Sequence, residues 1–129
     1  MKKFLNEVDA FLHESLSGFS EAHKDLVHVN FDPFYVIRKN INPNKVLLLS
    51  GGGSGHEPLH IGYIGQGMLD IACPGHIFTS PTPDQMIAAV EYSQPKNGVL
   101  FIVKNYSGDV MNFETVSYTH LTLPTIMTV

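Results

Sequence analysis

Three short runs of almost unbroken hydrocarbon, KVLLLS (45–50), LDIAC (69–73) and VLFIV (99–103), set the strongest limit on what this chain can fold into. They end at Gly51, Pro74 and Lys104, and each leads through a loop into sequence of helical character. A strand that is apolar throughout is one covered on both faces, as in a parallel sheet between layers of helix. Strand, loop and helix repeated along the chain therefore predict an α/β fold, a three-layer domain on a parallel sheet. In such a sheet the loops after the strands, 51–57, 74–82 and 104–109, share one carboxyl edge, where open α/β sheets hold ligands.

The remaining elements are read around that frame. Phe4, Leu5, Val8, Phe11, Leu12 and Leu16 fall on one helical stripe, predicting an amphipathic helix that ends near Gly18. LVHV (26–29) and FYVIR (34–38), split by the turn-forming NFDP, read as edge strands or extended segments. A helical stretch is expected from about Pro58, and a better marked helix over 83–93. There Thr82 can cap free N–H groups, Pro83 suits the first position and Asp84 favours the positive end. KNYSGD leads towards another helix at VMNFE.

Charge narrows the class of partner. Among 129 residues, 8 Lys and Arg face 12 Asp and Glu, a net charge of −4 without a basic cluster, which argues against nucleic acid. A small ligand suits that balance better. Cys73, the one cysteine, lies in an apolar run and reads as a small buried hydrophobe, in keeping with a reducing compartment. The amino terminus, MKKFLNEVDAFLHE, has a basic flank, but Asn6, Glu7 and Asp9 interrupt any signal-peptide core. No apolar stretch reaches membrane-spanning length, and the expected location is cytoplasmic.

LLLSGGGSGHEP (47–58) carries the most distinctive chemistry. It lacks the lysine and spacing of a phosphate loop, and His56 stands where a dinucleotide fingerprint or a nucleophile elbow needs glycine. HEPLH (56–60) matches the two-histidine zinc pattern in letters, with His76 as a conceivable third ligand. That pattern needs a continuous helix, and Pro58 argues against one. What remains is a backbone cradle with one imidazole, able to hold an anion or polar ligand, or else a tight turn with a surface histidine. His60 is assigned to helix surface or packing. Lys104 and Asp109 are expected on the same rim as His56: Asp109 as general base towards a hydroxyl or simply an N-cap, Lys104 as a hydrogen-bond donor or a solvated strand end.

In order along the chain, LLLSGGGSGHEP, GYIGQGML, ACPG with IFTSPTPDQ, and VKNYSGDVMNFE closely resemble the substrate-binding subunits of dihydroxyacetone kinases. The resemblance covers about residues 1–115 and identifies the chain as the N-terminal part of the family's K domain. It implies that Gly53, Ser54, Gly55 and His56 cradle dihydroxyacetone, with Lys104 and Asp109 as further contacts. It also implies that His56 and Asp109 assist proton removal from the attacking hydroxyl. The family attaches its substrate covalently to a later histidine that this chain does not contain. Nucleotide and magnesium are expected on a partner domain or subunit rather than on this chain, with phosphoenolpyruvate as ultimate donor, and the full-length chain is expected to form a homodimer. A regulatory relative that binds the triose without phosphorylating it would keep the same loop, and a zinc hydrolase at HEPLH is the third reading. Residues 116–129, VSYTHLTLPTIMTV, depart from the family pattern and are expected to be a non-native tail on a truncated chain.

Overall fold

The three apolar runs form adjacent parallel strands. The computed structural model describes the backbone of residues 1–120 and 125–128 and the side chains of residues 1–118. Its elements in chain order are α1 (Phe11–Ala22), β1 (Val27–Phe31), β2 (Phe34–Arg38), β3 (Leu47–Ser54), a 3-10 turn (Ile61–Tyr63), β4 (Ile71–Ile77), α2 (Pro83–Ser93), β5 (Val99–Val103), α3 (Ser107–His120) and β6 (Thr125–Thr128). The strands make one sheet in the order β1-β2-β4-β3-β5-β6. β3 is parallel to both β4 and β5, and β5 to β6, whereas β1 and β2 form a hairpin joined antiparallel to β4. The sheet is therefore mixed: the expected parallel order holds at its centre, and the two β-prone runs add an antiparallel flank.

Alternation along the strands divides the core in two. Leu47, Leu49, Phe101 and Val103 pack with Met86, Ala89 and Val90 of α2 and Phe113 and Val116 of α3. On the other face Leu12 and Leu16 of α1 meet Val27, Val29, Val36 and Ala72. Phe101 and Phe113 are fully buried, edge to face at 5.4 Å between ring centres, and removing rings of this kind from water contributes roughly 1.5–3 kcal/mol each. Cys73 is fully buried, and burial pushes its thiol pKa up, as befits a core hydrophobe. No helix among the described residues is long and apolar enough to cross a membrane.

Four local expectations need correction. The first helix does not span the early stripe: Phe4 and Val8 are exposed, and α1 runs from Phe11 through Gly18 to Ala22. Its packing stripe is Leu12, Leu16 and Phe19, and an interior glycine costs only about 1 kcal/mol relative to alanine. The glycine run is not a loop, because Gly51–Ser54 continue β3, Gly51, Gly52 and Gly53 in register with Cys73, Pro74 and Gly75 of β4. No α-helix starts at Pro58; residues 57–60 form turns before the 3-10 turn at Ile61–Tyr63. Finally, α3 does not stop near VMNFE but runs to His120, with Val116 fully buried. Of the expected tail, residues 121–124 and 129 lie outside the described residues, and 125–128 form β6.

Candidate functional site

The carboxyl ends of β3, β4 and β5 come together at one edge, as parallel pairing requires. Glycine is what lets β3 reach it. A Cβ on Gly53 would lie 2.7 Å from the Thr79 nitrogen, and one on Gly75 would lie 2.0 Å from the Thr79 oxygen. The loop after β4 is thus laid directly on bare backbone. Register shifts between Gly53 and Ser54, where Gly53 pairs with Gly75 but Ser54 with Ile77, and such bulges re-aim side chains at sheet rims.

The cradle residues are partly committed to the fold. Ser54 is buried and its hydroxyl donates to the Gly75 carbonyl at 2.7 Å. The Gly55 N–H donates to Glu57 Oε2 at 2.9 Å. His56 is exposed, its ring set edge-on to Phe78 at 5.1 Å between centres.

Lys104 follows β5 directly, and Asp109 lies in the first turn of α3. The two meet as a long ion pair, Nζ to Oδ2 3.8 Å, with the ammonium also 5.5 Å from the Tyr106 ring centre. Asp109 is only 1% exposed, yet neither carboxylate oxygen has a hydrogen-bond partner. That is an uncommon arrangement, since a buried polar group left unsatisfied costs about 1–3 kcal/mol and more when charged. The acidic group at the positive end of a helix is favoured, but its oxygens still lack donors.

His60, read from the sequence as helix surface or packing, stands at the centre of this group. A Cβ on Gly52 would lie 2.6 Å from its Cε1, 3.0 Å from its Nδ1 and 3.8 Å from Lys104 Nζ. Burial, and after it the Lys104 cation, lower the pKa of His60; Asp109 opposes this and His56 adds slightly to it. All three expected polar groups therefore act on one imidazole. Its Nδ1 is buried without a partner, and among the described residues the only other such side-chain atoms are the two Asp109 oxygens. The cue was present in the second histidine of HEPLH, but the helix expected there turned that residue towards packing.

HEPLH itself lies in turns rather than a helix, so His56 and His60 are not held one helical turn apart as the zinc pattern demands. His76, proposed as a third ligand, is set edge-on to Phe34, and no three His, Cys, Asp or Glu residues among those described converge as a metal site would need. Beside the polar group lies a cavity of about 380 Å³, walled mainly by apolar side chains, among them Leu48, Leu59, Tyr63 and Ile102, with His60 and Lys104 at its margin.

A family described as the Dak1 domain matches residues 17–121. The chain belongs to the Dak1 family. It is 54% identical over 118 residues to the dihydroxyacetone-binding subunit DhaK of the PEP-dependent dihydroxyacetone kinase of Escherichia coli K12, covering 91% of this chain and 33% of that one. It is 50% identical to the DhaK subunit of the PTS-dependent dihydroxyacetone kinase 1 of Listeria innocua, covering 88% and 35%. Among solved structures, the dihydroxyacetone kinase of C. freundii in complex with AMP-PNP and Mg2+ superposes with a TM-score of 0.91 at 33% identity, covering 99% of this chain and 25% of that one. A dihydroxyacetone kinase operon co-activator, Dha-DhaQ, superposes with a TM-score of 0.77 at 28% identity, covering 89% and 36%. The chain thus spans about a third of the length of these curated Dak1 relatives.

Proposed function

We propose that this chain is the dihydroxyacetone-binding part of a kinase that phosphorylates the triose at a hydroxyl. The observation that carries the reading is Asp109, buried with both oxygens unpartnered, at the same sheet edge as Lys104 and His56. A hydroxylated ketone supplies the missing donors: its hydroxyls can donate to the Asp109 oxygens, and its oxygens can accept from Lys104. Asp109 then takes the proton of the attacking hydroxyl, His56 assists, and Gly53, Ser54 and Gly55 form the wall on which the triose rests. Positioning and proton transfer are what a phosphoryl transfer asks of the acceptor side.

Nucleotide and magnesium belong, in this reading, to a separate domain or subunit. The glycine run has no phosphate-loop lysine, and the donor set described above does not suit a metal. The DhaK relatives are named as subunits of PEP- and PTS-dependent kinases, which supports a partner subunit and phosphoenolpyruvate as the ultimate source. A homodimer and a cytoplasmic location complete the proposal.

The likeness to an operon co-activator favours a second reading, in which the triose is bound and reported rather than phosphorylated. Both are tested with the protein in the longest form its gene encodes, supplied with its phosphoryl-donor partner. Asp109→Asn should keep triose binding while lowering turnover on the order of 10²- to 10⁴-fold, the usual worth of a general base. Unchanged turnover would remove Asp109 from that role, and binding without turnover in the unaltered protein would establish the regulatory reading.

A further inference from the structure

We propose that His60 is a further substrate-contacting residue of this site, one that holds through Nδ1 the triose hydroxyl that does not react. The inference rests on the triose-binding reading above and extends it to specificity.

The geometry is specific to this side chain. Its ring occupies the space left open by Gly52, on the face of β3 that also carries Leu48 and Ser50. That position sets it beside Lys104 and within the field of Asp109 and His56. Among the described residues, the buried side-chain atoms without a hydrogen-bond partner are His60 Nδ1 and the two Asp109 oxygens, a set of unused hydrogen-bonding positions at one edge. A 1,3-dihydroxy ketone has two hydroxyls separated by a carbonyl. If Asp109 takes the reacting hydroxyl and Lys104 faces the carbonyl, the second hydroxyl is left for an atom that either donates or accepts. A neutral imidazole nitrogen does one or the other, according to tautomer, and a hydroxyl complements both. Burial and the Lys104 charge favour the neutral form, so His60 leaves the Lys104–Asp109 pair undisturbed. A ketone lacking that hydroxyl would leave Nδ1 buried and unpaired, which is how polar sites reject an analogue missing one group.

The test is the ratio of affinities for dihydroxyacetone and hydroxyacetone, measured by titration calorimetry on the protein in the longest form its gene encodes. The unaltered protein should prefer dihydroxyacetone. His60→Phe, which keeps a ring but removes the nitrogen, should weaken dihydroxyacetone binding about tenfold and leave hydroxyacetone within about twofold, the difference expected for one hydrogen bond. Should that variant fail to fold, the amides decide. His60→Asn places a polar atom near the Nδ1 position and should keep the preference, whereas the longer His60→Gln should lose it. A preference for dihydroxyacetone unchanged in His60→Phe, or equal in the two amide variants, would overturn the role of His60 while leaving the triose-binding reading intact. Failure of the unaltered protein to bind either ketone would overturn both.

Discussion

At the scale of single residues, four glycines of GGGSG read as a surface offered to a ligand, and most of them face the protein itself. Gly51 lies against the Cys73 carbonyl, Gly53 against the Phe78–Thr79 backbone and Gly55 against the Phe78 ring, while Gly52 makes room for His60. Their partner in β4, Gly75, is the tightest: a methyl there would meet the Thr79 oxygen at 2.0 Å and the Pro81 nitrogen at 2.8 Å. Backbone, unlike a flexible side chain, has nowhere to swing. Gly75→Ala is therefore expected to destabilise the protein by at least about 1–3 kcal/mol, the common cost of overpacking, as read by denaturant unfolding. An unchanged midpoint would mean that the loop after β4 shifts freely. The glycines announced close approach, but a single sequence does not say what approaches, because the contacting loop lies more than twenty positions on. His60 was missed for the same reason: its role depends on Gly52 and Lys104, neither of which is near it in the helix the local pattern implied.

Elements were more legible than residues. The Thr82, Pro83, Asp84 start of α2 and its end at Ser93 were read from local chemistry, and the structure agrees to the residue. Gln85, overlooked in that reading, completes the start: its Oε1 accepts from the Thr82 N–H at 2.9 Å. The T-x-x-Q spacing of a capping box was there to be seen. The same side chain donates through Nε2 to the carbonyls of Phe34, at 2.8 Å, and Pro74, at 2.7 Å, so that it ties α2 to the start of β2 and the middle of β4. Gln85→Leu would leave main-chain groups of three elements without this partner. A loss of at least about 1–3 kcal/mol follows, the cost of the Pro74 carbonyl left buried and unpaired, measurable by chemical denaturation. A loss below about 0.5 kcal/mol would show that water replaces the amide. By contrast, the antiparallel joining of the β1–β2 hairpin to β4 could not be read from LVHV and FYVIR, since pairing direction depends on which strand lies alongside.

For the molecule as a whole, the parallel centre β4-β3-β5 brings His60, Lys104 and Asp109 to one edge from segments far apart in the chain. This was inferable from three apolar runs, and the convergence of charge on His60 was not. Convergence has a global consequence through proton linkage. Burial and Lys104 hold the folded-state pKa of His60 below its ordinary value, with His56 acting in the same direction and Asp109 against it. The unfolded chain therefore binds this proton more tightly. Stability is complete above the ordinary histidine pKa, about 6.5, and falls as pH drops from there towards the folded-state value. Thermal unfolding compared between the unaltered protein and His60→Asn isolates the effect, since asparagine has no proton to take up and other titrating groups are shared. The unaltered protein should lose melting temperature relative to the variant on going from pH 7.5 to pH 5. Parallel profiles would place His60 in a solvated, freely protonated position, and would deny the neutral imidazole on which its contact with a triose depends.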